Sequence, residues 1–164
     1  SFHKIIRRFL FIHMKIILTS ESGRWFWVVR AAERELARSE GFHSFVDARA
    51  HAELFRIGAR SPVILRSVKK CAQSLVNDKY HLVFLVTEST SGFCLSLSYP
   101  ENIHLYDEVF ESFEGAESFA QHLSYDVFEL ADIYDCWGSL IHPLQHSRFY
   151  RNVFDIEDDH PSAW

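Results

Sequence analysis

Two histidines four residues apart, His142 and His146, have the spacing at which a helix presents two metal ligands on one face. Pro143 falls between them, no glutamate follows His142 and no third ligand is signalled, whereas catalytic zinc takes three protein ligands and an open position. A half-exposed structural pair is the favoured reading, and no metal or cofactor is expected. Asp126, Glu129, Asp132 and Asp135 step by three, but carboxylates do acid–base work only in a shielded pocket that splits their pKa values. A solvated acidic helix edge is the simpler reading. Cys136, beside Trp137, has no readable activating partner and reads as a buried structural thiol rather than a nucleophile. There is no phosphate-binding loop, no G-x-S-x-G and no dinucleotide fingerprint, and the 6 glycines do not cluster. No enzyme is expected.

Charge carries more. Residues 1–75 hold 14 Lys/Arg against 6 Asp/Glu, while residues 76–164 hold 3 against 16. No Lys or Arg stands between Lys79 and Arg148. Such asymmetry points to charged partners. In the acidic half, Glu108, Glu111, Glu114, Glu117, Glu129 and Asp132 are the candidate partner-binding residues, since carboxylates spaced along a rigid element imitate phosphates and steer a basic surface. In the basic half, Trp25 and Trp27 lie among Arg24, Arg30, Arg34 and Arg38, a set that can stack bases and neutralise phosphates. The plainer alternative puts the tryptophans in the core and the arginines on a solvated rim.

These residues must be held by elements, and an internal repeat suggests which. Residues 15–54 align with residues 83–122 at an offset of 68 without a gap, with 8 identities. Six fall in E-x-F-x-S-F-x-x-A-x-x-x-A, from Glu40 to Ala52 and from Glu108 to Ala120. Lys15–Ser20 and Arg24–Arg30 read as strands joined by a turn at Glu21-Ser22-Gly23. Glu33–Ser39 suits a strand or a helix. Its counterpart Glu101–Asp107 alternates Ile103 and Leu105 with polar neighbours, which decides for a strand.

Ser44 and Ser112 read as N-caps of helices that bury Ala48, Ala52 and Phe55 in one copy and Ala116, Ala120 and Leu123 in the other. Further helices are expected from Ser61-Pro62 towards Leu75 and over Tyr125–Tyr134, with a strand over Tyr80–Thr87 between them. The tail from Cys136 reads as loop with a short helix around His142–Val153.

Gly23-Arg24-Trp25-Phe26-Trp27-Val28-Val29, then Glu35 to Phe42, then Ser44, resemble the YegP-like tandem-repeat proteins, as does Ile64–Lys70, which is similar to the segment closing that unit. The resemblance spans residues 15–56 and, more weakly, 83–123. It implies an α+β repeat fold without an established activity and transfers no catalytic residue.

The expected architecture is α+β: two repeats of a three-stranded antiparallel sheet plus helix packed together, with additional helices after each repeat. Residues 1–14 form an N-terminal extension, 15–78 a basic module, 79–135 an acidic module and 136–164 a tail. Hydrophobic content of 48%, with 15 Phe, supports a packed core. Three cysteines without paired spacing suit reduced thiols, no apolar run reaches a membrane span, and a cytoplasmic protein is expected. The leading function is a non-catalytic binding module or inhibitor, of the kind phages direct at defence nucleases, whose acidic repeat docks on a basic, nucleic-acid-gripping partner. The alternatives are a nucleic-acid-binding module using the Arg/Trp face and a structural protein, including a homodimer paired basic half to acidic half.

Overall fold

Lys15 to Ser20 alternates buried Ile16 and Leu18 with more exposed neighbours. This period of two gives strand β1 (Met14–Glu21) in a computed structural model of the chain, which describes residues 14–66 and 80–142. Ser22 and Gly23, at φ 54° and 78°, make a two-residue turn into β2 (Arg24–Ala31), because two positive φ values match the twist of the paired strands. β3 (Arg34–Arg38) follows antiparallel. Ser44 then caps helix α1 (Phe45–Gly58), its hydroxyl accepting from the Asp47 N–H at 3.1 Å.

Beyond α1 the structure departs from expectation. Val63-Ile64-Leu65 is not a helix but strand β4 (Val63–Arg66), paired in parallel with β5 (Val83–Ser89). Its unbroken apolar run suits a strand in a parallel pair better than it suits a helix face. The rest of that expected helix lies outside the described residues. β6 (Gly92–Tyr99) pairs antiparallel with β5. The expected strand over Glu101–Asp107 is only β7 (His104–Leu105), since Asn102 turns the chain at φ 62°. β8 (Val109–Phe110) lines the far edge of β6.

Ser112 caps helix α2 (Phe113–His122), accepting from the Gly115 N–H at 3.0 Å. The expected helix over Tyr125–Tyr134 is instead one π-helical turn, Leu123–Phe128, followed by strand β9 (Asp132–Tyr134). The Glu129 N–H reaches back five residues to the Ser124 carbonyl at 3.0 Å. β10 (Leu140–Ile141) closes a hairpin where loop was expected, and the helix expected around His142–Val153 lies almost wholly outside the described residues.

The fold is therefore mixed α and β, but its sheets are not two antiparallel triplets. One sheet has six strands in the order β10-β9-β1-β2-β3-β7 and the other four in the order β4-β5-β6-β8. β4 lies before residue 78 yet belongs to the sheet of β5 and β6, and β9 lies after it yet pairs with β1. Each stretch thus lends a strand to the other. Strands β3 and β7 join the stretches directly, with Ala37 opposite Leu105 and the Tyr106 N–H donating to the Leu36 carbonyl at 3.0 Å.

One apolar cluster runs through both sheets. Ala48, Ala52, Ala116 and Ala120 are fully buried and bring each helix close to its sheet, while Trp27, Phe55, Phe84 and Phe128 supply bulk. Gly92 shows how tight the edge is. A Cβ there would sit 2.5 Å from the Phe110 carbonyl oxygen, and its φ of +136° already favours glycine.

A cleft beside Trp27 and an acidic edge

The Arg/Trp set does not form one surface. Trp27 is fully buried, its ring 4.4 Å from that of Phe55 and its indole N–H donated to His51 Nδ1 at 3.0 Å. Trp25 is half-buried and packs edge-on against Phe45 at 5.2 Å. Arg38 holds Glu35 in a two-pronged contact at 2.7 to 3.2 Å and lies over the Phe26 ring, so its bond depresses the Glu35 carboxyl below the usual range. Arg34 donates to the Tyr106 hydroxyl and covers that ring at 4.4 Å. Arg24 is exposed and reaches His43, and Arg30 stands opposite Glu35. All four arginines thus face a carboxylate or ring of this chain.

The acidic candidates separate in the same way. Glu129 meets Arg60 at 3.6 Å, and Asp132 stands beside Lys15 in the parallel register of β9 and β1. Both are drawn to the basic half. Asp126 meets His122 at 2.6 Å, and Asp135 Oδ1 accepts the Trp137 and Ser139 N–H groups. The four carboxylates that step by three are therefore dispersed rather than gathered.

Glu108, Glu111, Glu114 and Glu117 stay together, flanking edge strand β8 and continuing along the first turns of α2. None of the four pairs with another described residue. Glu114 also suits the positive end of the helix dipole, a purely structural benefit. Val109, next to the first of them, is half exposed.

A site that the sequence reading passed over lies beside Trp27. Asp47, Ala50, His51 and Leu54 follow the i, i+3, i+4, i+7 stripe of α1 and face the segment Glu40–His43, which bridges to β2 through Phe42 and Trp25. Between them is a cleft of about 580 Å³, with the Arg24 side chain on the strand side. The Phe42 ring packs 4.8 Å from that of His51. Because Nδ1 accepts from the indole, the neutral imidazole carries its proton on Nε2, and burial holds the ring below its ordinary pKa of 6.5 against the opposing pull of Glu40. Glu40 accepts from the Asn102 amide at 3.0 Å. A signal for this site existed, since the offset of 68 sets His51 against Phe119, a polar ring against an apolar one.

Among the described residues no group of three or more His, Cys, Asp and Glu is placed to hold a metal, and no helix is long and apolar enough to cross a membrane. His142 is exposed, with its carbonyl accepting from Arg49 at 2.7 Å, and His146 lies outside the described residues. Cys136, expected to be buried, is exposed because it sits in the turn between β9 and β10. No family model, curated protein or solved structure matches the chain.

Proposed function

We propose that the protein is a non-catalytic binding module built by tandem duplication, whose acidic second half docks on a basic partner surface. One observation carries the docking reading: Glu108, Glu111, Glu114 and Glu117 form an acidic row without an ion-pair partner among the described residues, with the half-exposed edge residue Val109 next to Glu108. A small apolar centre with a charged rim is a common interface pattern, and the row would accelerate encounter with a cationic partner. Glu129 and Asp132 leave the proposed contact set, because Arg60 pairs with Glu129 and Asp132 sits on β9, in the other sheet from β8.

The duplication reading rests on recurrence. β2 and β6 begin 68 residues apart, as do α1 and α2, and the Trp25–Phe42 bridge recurs as Phe93–Phe110. Beyond the helices the spacing becomes 69, since Val63 pairs with Val83 while Asp132 pairs with Lys15, the residue 68 before Val83. The π turn, with its five-residue hydrogen bond, absorbs that one extra residue. A YegP-like ancestry for the unit belongs to the same proposal.

Replacing the four glutamates by lysine tests the docking reading. Capture from a lysate of the source cell should recover a basic protein with the wild type and lose it with the variant, while both give the same circular dichroism. Equal capture by the two removes the proposal. The nucleic-acid reading has less support, since Trp27 is unexposed and Arg34 and Arg38 are engaged within the chain. A gel shift of single-stranded RNA at low salt would restore it.

A further inference from the structure

The acidic row does not involve the cleft between α1 and the Glu40–His43 segment, and the cleft has its own chemistry. Its size falls in the range of small-molecule sites. The helix wall offers the exposed Asp47 carboxylate, and the strand wall offers the Arg24 guanidinium beside His43. Phe42 and Leu54 supply apolar surface between them. His51 answers the buried indole on one nitrogen only. No described residue accepts from its other nitrogen, which carries the remaining N–H. The need of Trp27 for an acceptor therefore explains half of this side chain and leaves a donor on a ring that lines the cleft. Sixty-eight residues on, Phe119 packs against Phe110 at 5.1 Å and offers no such donor.

We propose that this cleft binds a zwitterionic ligand with an apolar body, the chemistry shared by a free amino acid and by a short peptide with both ends unblocked. The ligand carboxylate meets Arg24 and the His51 N–H, its ammonium meets Asp47, and its side chain lies against Phe42 and Leu54. A simple anion fits less well, because Asp47 and Glu40 line the same space. A simple cation meets Arg24.

Titration with L-phenylalanine, followed by the NMR signals of the Trp27 indole N–H and the His51 ring, tests this. Saturable shifts are expected at millimolar ligand. Arg24→Gln and Asp47→Asn should each weaken binding about tenfold, the scale of one charge-assisted hydrogen bond. Both residues are exposed, so the variants should keep the wild-type circular dichroism. Phenylalaninamide and N-acetylphenylalanine, each lacking one charge, should bind more weakly, and a Phe-Phe dipeptide separates a free amino acid from a peptide as the better source. Absence of shifts with every probe, or equal binding of doubly blocked N-acetylphenylalaninamide, overturns the proposal.

Discussion

Trp27 and His51 show how a polar pair is tolerated inside an apolar layer. The indole N–H is buried and would cost about 1–3 kcal/mol if left without an acceptor, and His51 Nδ1 provides one. The bond requires the neutral ring. Because the folded state holds His51 below 6.5, the unfolded chain binds the extra proton first, and stability falls as pH drops through 6.5 towards the folded value. Urea midpoints taken from about pH 7.5 to about pH 5 should decline, and His51→Gln, whose amide oxygen can still accept, should flatten the decline. Glu53 has the opposite sign. Burial raises its carboxyl above 4.5, against Arg56 and Arg49, and its Oε1 has no partner among the described residues. The folded state therefore holds the proton longer, and stability is lost as pH rises through 4.5 towards the folded value. Glu53→Gln should stabilise the protein by about 1 kcal/mol at neutral pH and do nothing near pH 4, measured by the same denaturation.

At the level of elements, the two helices begin alike and end differently. Each starts at a serine whose hydroxyl accepts the N–H three residues on, so Ser44→Ala and Ser112→Ala should each cost about 1 kcal/mol in chemical denaturation. Their ends diverge because the second must reach β9 with one residue more, which widens its last turn into a π turn. Deleting Tyr125, an exposed residue of that turn, should restore α-helical bonding without moving the β9–β1 register. The variant should fold with unchanged helical circular dichroism, whereas deleting a residue within α1 should unfold the protein. The edge of β6 is less forgiving. Gly92→Ala places a Cβ against the Phe110 carbonyl at a left-handed φ and should cost more than about 2 kcal/mol.

On the scale of the whole molecule, the exchanged strands make the two halves mutually dependent. Without β9 the first sheet exposes the β1 edge, and without β4 the second exposes β5. Fragments cut at 78/79 should each be poorly structured alone, and mixing them should recover the sheet signal in circular dichroism. Two fragments that are each cooperatively folded would contradict this. The opposite charges of the halves should make that recovery faster at low salt, since unlike charges attract over roughly 10 Å at 0.1 M.

The strands of the first hairpin, both serine caps and the alanine stripes were legible from Lys15 to Ala120, because caps and burial periodicity are local in sequence. The separation of the acids into two groups was not, since it depends on which cation lies near Glu129 and Asp132 across the fold. Val63–Arg66 and Asp132–Tyr134 read as helix for the same reason. Short apolar runs fit either structure, and a parallel partner contributed by the other half decides between them. His51 looked like an ordinary helical position until Trp27 was brought against it. The sequence by itself determined the recurrence at an offset of 68, the caps and the uneven charge. Tertiary structure decided the strand exchange, the cleft and which acids meet a cation, because these depend on contacts between residues distant along the chain.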